Sequence, residues 1–173
     1  VLSVSLVSGS ADLLRATTHF GDFSMTLLGQ ISPQTFLETY WQQKPLVVRG
    51  ALPNWPSPLT GDELAGLAME PDVTSRLVRG AAGQDPWSVT FGPFEATDFA
   101  TLPASDWSLL VQSADLWVPD IAALKHQFNF LPSWRLDDIM VSFAPPGGSV
   151  GPHFDQYDVF LIQVEGRRHW KIG

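Results

Sequence analysis

The chain has 173 residues, a net charge of −8 and no cysteine. Only ten residues are Lys or Arg, with one cluster at Arg167-Arg168, which argues against general nucleic-acid binding; the missing cysteines exclude disulfide frameworks, thiolate metal sites and cysteine nucleophiles. A hydrophobic fraction of 45% supports a packed core, and no apolar run approaches the length of a membrane span.

The acidic balance suits a basic partner, and the absence of cysteine fits a reducing cytoplasm, the expected location. The sequence begins at Val1 without a methionine. It stops at Gly173, just after the strand-like run Arg168-His169-Trp170-Lys171-Ile172. Both features read as those of a fragment. The mildly apolar stretch 1–7 has no Lys or Arg before it, so it is not read as a secretory signal. Met25 is the preferred natural start. Residues 1–25 are expected to be a disordered or non-native extension, and 26–173 the domain.

Ser32-Pro33 starts a helix, with a capping hydroxyl and then Pro at the first helical position. Phe36, Leu37, Tyr40 and Trp41 follow at helical spacing, which predicts a helix over 33–43. Lys44-Pro45 ends it, and 46–48 reads as a short strand. The proline-rich stretch 53–58 is loop. Thr60 with Glu63 three residues on predicts a capping box and a second helix. Strands are expected over 75–78 and 87–91 around a glycine-rich turn, and over 107–111. A third helix is predicted over 119–130, with Ile121, Leu124 and Phe128 on one stripe. A strand over 137–143 runs into Pro145-Pro146-Gly147-Gly148, a firm breaker. A further strand over 159–164 turns at Glu165-Gly166 and returns over 168–172 as a hairpin partner. Helices lie mostly early and strands mostly late. The fold class is therefore α+β, with helices and strands packed outside a partial antiparallel barrel or jelly roll.

The chemistry concentrates in Gly151-Pro152-His153-Phe154-Asp155. In an extended strand residues i and i+2 share a face, so His153 and Asp155 would point the same way and Phe154 the other. One imidazole and one carboxylate on one face are two thirds of the two-His-one-carboxylate triad, which holds Fe(II) and leaves positions open for O₂ and a co-substrate. The plain alternatives are a surface histidine near a turn, or a simple His–Asp hydrogen bond. A cation near such a metal would grip a carboxylate of the co-substrate, and Arg168 and Lys171 are the candidates. His19 and His126 have no partner at ligand spacing and are read as surface residues. Asp137-Asp138 is read as solvated, and most of the seven tryptophans as packing residues.

The run from Gly147 to Phe160, with Gln163 to Trp170 after it, resembles the iron motif of the JmjC-type bacterial ribosomal oxygenases. Upstream, 62–70, 75–78, Asn54-Trp55, 92–95 and 107–112 also fit. The resemblance is colinear from about Leu28 to Gly173 and does not reach residues 1–24. It implies a double-stranded β-helix core of the cupin type, present here only in part. It also implies hydroxylase activity dependent on Fe(II), 2-oxoglutarate and O₂, directed at a basic ribosomal protein: an arginine of large-subunit protein sixteen. By position His153 and Asp155 match the metal ligands. Arg168 matches the cation that binds 2-oxoglutarate, and Ser142 a small polar residue of the same pocket. Phe154, where Leu is expected, and His169, where Arg is commoner, depart from the pattern. The family's second histidine ligand lies several tens of residues beyond Asp155, past Gly173, as do its dimerisation and winged-helix regions. The full-length protein is then expected to be a homodimer, and the 173 residues alone inactive. The alternative is a non-catalytic cupin-like binding or scaffold module. Gln156-Tyr157-Asp158, just after the motif, are candidates for contact with the peptide substrate.

Overall fold

The computed structural model describes residues 2–7, 27–53, 55–80 and 87–172. The helix starts follow the capping chemistry of the sequence. Ser32 Oγ accepts a hydrogen bond from the Thr35 backbone N–H at 3.1 Å, and α1 (Pro33–Thr39) begins with Pro at its first position. At α2 (Gly61–Ala68) the Glu63 N–H donates to Thr60 Oγ1 at 3.2 Å, while the Thr60 N–H donates back to Glu63 Oε2 at 2.9 Å. Both caps satisfy N–H donors that no helical carbonyl can reach, the second one reciprocally.

After α2 the chain forms β2 (Ser75–Arg79) and β3 (Ser88–Phe91), then the short helix α3 (Ala96–Ala100) and β4 (Trp107–Val111). Helix α4 (Pro119–Leu124) continues as a 3₁₀ turn over Lys125–Phe128, so the expected helix 119–130 changes its winding half-way. Strands β5 (Ile139–Ala144) and β6 (Phe160–Gln163) complete the order. Together with β1 (Leu2–Val7) they make one six-stranded sheet in the order β3-β2-β4-β5-β1-β6. The β3–β2–β4–β5 part is antiparallel throughout.

The core lies where α2 and α4 cover this antiparallel part. Leu64, Val111, Ala114, Ile121, Ile139 and Val141 are fully buried, and Phe128 nearly so. Four of the five β4 residues are buried, so this strand is covered on both faces. The turn after β5 packs its backbone onto the start of β4. The Asp106 N–H donates to Pro146 O at 3.0 Å, and a Cβ on Gly148 would collide with the Trp107 carbonyl. Only glycine permits that approach.

Three expectations are corrected, and one further element was not expected. Helix α1 ends at Thr39, short of residue 43, because the chain turns at Tyr40. Residues 46–48 form no strand. The return strand over 168–172 is also absent, so no hairpin follows β6 among the described residues. A strand needs a neighbour for its backbone groups, and neither run has one there. Last, Leu2–Val7, assigned from the sequence to an extension, pairs in parallel with both β5 and β6. It occupies the edge that β5 turns away from β4, where an unpaired row of N–H and C=O groups would otherwise stand open. Residues 8–25 of that expected extension, His19 among them, lie outside the described residues.

Candidate functional site

The segment that leaves β5 carries the His-x-Asp motif, but as a loop. Residues 152–159 have no regular secondary structure, so the strand alternation expected of His153 and Asp155 is not what orients them. Local hydrogen bonds do so instead. Ser108 on β4 donates its hydroxyl to Ser149 O at 3.2 Å, and the Gly151 N–H donates to Ser149 Oγ at 3.1 Å. Gly151 O lies 3.0 Å from His153 Nδ1. A carbonyl can only accept, so Nδ1 carries the proton and Nε2 is the nitrogen left to act. Nε2 stands 3.7 Å from Asp155 Oδ2. That is long for a hydrogen bond. Two ligands of one ion, each about 2.1 Å from it, can lie at most about 4.2 Å apart, so the pair is close enough to share a cation. Phe154 points into solvent, 84% exposed.

Arg168 is held differently from its neighbours. Arg167 and His169 are exposed while Arg168 is half-buried. Its guanidinium lies over the Trp170 ring at 5.6 Å. Burial pushes its pKa below the ordinary arginine value, and Nη2 is buried with no hydrogen-bond partner among the described residues. A buried cationic donor without an acceptor is costly and fits an anion of the right shape. Ser142 is buried in the middle of β5, opposite Leu110 of β4. The structure thus brings His153 and Asp155 together, and sets Ser142 on β5 before them and Arg168 in the segment that follows β6. No group of three His, Asp or Glu able to hold a metal occurs among the described residues.

Two features escaped the sequence reading. Asp138 is not simply solvated: its Oδ2 accepts from Gln112 Nε2 at 2.5 Å, from the Ser113 N–H at 2.9 Å and from Ser113 Oγ at 3.1 Å. This clasp ties the start of β5 to the turn after β4. The second feature is a cavity of about 320 Å³ walled by Trp41, Gln42, Arg135, Tyr157, Asp158 and Phe160. The aromatic spacing marked Trp41 as a packing residue, but nothing in the sequence marked Gln42. Of the seven tryptophans, Trp117, Trp134 and Trp170 are exposed, while Trp41, Trp55, Trp87 and Trp107 are partly buried, in line with the expectation that most of them pack.

Residues 123–173 match the JmjC domain family. The chain is 52% identical over 138 residues to the ribosomal protein uL16 3-hydroxylase of Escherichia coli K12, covering 80% of this chain and 36% of that protein. It is 48% identical over 156 residues to a probable ribosomal oxygenase of Haemophilus influenzae, covering 90% of this chain and 38% of the relative. Among solved structures it is similar to the ribosomal oxygenase YcfD of Escherichia coli in complex with cobalt and 2-oxoglutarate. The TM-score is 0.67 at 48% identity, over 73% of this chain and 34% of that one. The same figures hold for the complex with cobalt and succinic acid. The chain therefore spans little more than a third of the length of the relatives it matches. No helix among the described residues is long and apolar enough to cross a membrane.

Proposed function

We propose that this chain, which shares sequence and fold with the JmjC-type bacterial ribosomal oxygenases, supplies part of the active site of an Fe(II)- and 2-oxoglutarate-dependent protein hydroxylase. The substrate is read as an arginine of the ribosomal protein uL16, the protein named in the Escherichia coli relative. The observation that carries the reading is the His153–Asp155 pair, 3.7 Å apart with Nδ1 engaged by Gly151 O. In the proposed site His153 Nε2 and Asp155 Oδ2 hold the metal, and a histidine outside these 173 residues supplies the third ligand. Gly151 fixes the imidazole tautomer, as partners of metal-bound histidines commonly do. The metal, when bound, supplies O₂ activation coupled to decarboxylation of 2-oxoglutarate. Arg168 offers its unpartnered Nη2 to a carboxylate of 2-oxoglutarate, and the buried Ser142 hydroxyl lines the same pocket. Gln156, Tyr157 and Asp158, just after the motif, are read as the candidates for contact with the peptide. The whole protein is read as a cytoplasmic homodimer.

Mutation of the histidine tests this directly. The 173-residue chain alone should bind Fe(II) weakly and turn over no 2-oxoglutarate. A longer protein that includes the third ligand should turn it over, and His153→Ala should abolish that turnover. Steady turnover by the 173-residue chain, or by the His153→Ala protein, contradicts the assignment.

A further inference from the structure

We infer that Gln42 is a positioning residue for the loop that carries His153 and Asp155, and that it acts through Asp158. The inference deepens the ligand reading of that loop and rests on it for its functional meaning. At the end of α1 the Gln43 and Lys44 N–H groups both turn back to Tyr40 O, at 2.9 and 3.0 Å. Gln42 sits inside this corner with φ +56°, a left-handed conformation uncommon for a residue with a side chain. From there its Nε2 donates to Asp158 Oδ2 at 2.9 Å, across 116 residues of sequence. Its neighbour Trp41 stacks on Phe160, with centroids 5.8 Å apart and planes 28° from parallel. Phe36, one turn earlier in α1, also meets Phe160 at 6.0 Å.

One corner therefore grips two residues, Asp158 and Phe160, that stand where the loop enters β6. Asp155 is three residues upstream of Asp158. A loop without regular structure has few other means of keeping a ligand at a fixed distance from its partner. The aromatic contact is apolar and permits sliding. The amide–carboxylate bond is directional and sets the register of the loop against α1. The ordinary explanation of a left-handed residue here is that it ends the helix. Glycine would end it at least as well, yet the residue present is one with an amide long enough to reach Asp158.

Gln42→Gly separates the two explanations, since it keeps the backbone turn and removes only the amide. Amide hydrogen exchange on the millisecond scale is measured in the 173-residue chain over residues 152–160 and over β4 and β5. Gln42→Gly should speed exchange in 152–160 by about three- to tenfold, the loss expected for an exposed hydrogen bond to a charged group. Exchange in β4 and β5 should stay as it was, and the thermal midpoint should not fall. Gln42→Glu, which replaces the donor with a like charge, should speed exchange further. Asp158→Asn combined with Gln42→Gly should add little to either change alone. Unchanged exchange in 152–160, or equal loosening of β4 and β5, overturns the inference. Added Mn(II) tests the ligand reading separately, in the longer protein that includes the third ligand. It should slow exchange at 152–160 in that protein but not in its His153→Ala variant. If Mn(II) has no effect while Gln42→Gly still loosens the loop, the ligand reading fails and the tether stands.

Discussion

Residues 59–144 and 145–172 obey different physics. In the first region Leu64, Val111, Ile121, Ile139 and Val141 have no exposed surface, and each strand has paired neighbours. In the second, no residue from 146 to 172 is buried, and β6 is its one regular element. The first holds itself together through apolar contact, which is non-directional and collective. The second is held by the β6–β1 ladder, by the partly buried Phe160, Ile162 and Val164 against the core, and outside β6 by a few specific ties such as Ser108 to Ser149 and Gln42 to Asp158. Stability and the candidate chemistry are thus assigned to different parts of the chain. Substitutions should read out in one part or the other.

The largest effect expected is on stability alone. Phe128→Ala empties a fully packed position beside Phe130 and Phe160 and should lower unfolding free energy by about 3–5 kcal/mol in a denaturant titration. Phe154→Ala removes a ring that stands in solvent and should change it by less than about 0.5 kcal/mol. Comparable losses at both positions would erase the contrast between the regions.

Next comes an effect on binding alone. If Arg168 anchors 2-oxoglutarate, Arg168→Ala in the longer protein should weaken its affinity by about 2–5 kcal/mol, roughly thirty-fold to several-thousand-fold. Arg168→Lys should recover only part, because an ammonium cannot pair bidentately. Arg167→Ala, at an exposed neighbour, should leave the 2-oxoglutarate dependence alone. If Arg167→Ala is the crippled variant, the facing of this segment is reversed. If neither matters, the anchoring cation lies elsewhere.

The smallest effect sharpens the boundary. Thr60→Ala removes one half of the α2 capping box and should cost about 1 kcal/mol of stability. Hydrogen exchange at 152–160 should not change, because the cap belongs to the self-supporting region. Faster exchange there would show the two regions to be coupled.

Much of the first region was legible because its signals are local. Ser32-Pro33, Thr60 with Glu63, and the apolar stripe Ile121, Leu124 and Phe128 each act within one or two turns of chain. Short α3 escaped, since its cap, the Glu95 N–H on Asp98, looks in sequence like any acidic loop. The motif itself was legible as a pair of ligand-type residues at i and i+2. Its orientation was not, because strand alternation was the wrong geometry for a loop.

The sequence by itself determined the starts of α1, α2 and α4, the strands around Leu77 and Leu109, and the placing of two ligand-type residues, His153 and Asp155, two positions apart. Tertiary structure alone decided which carboxylates are held and which strand lies beside which. Asp138 receives its donors from Gln112 and Ser113, Asp158 receives Gln42, and β5 receives Leu2–Val7 as its second neighbour. The reason is distance along the chain. A hydrogen bond spanning 116 residues leaves no pattern in either partner's neighbourhood, and only the packed fold brings the two ends together.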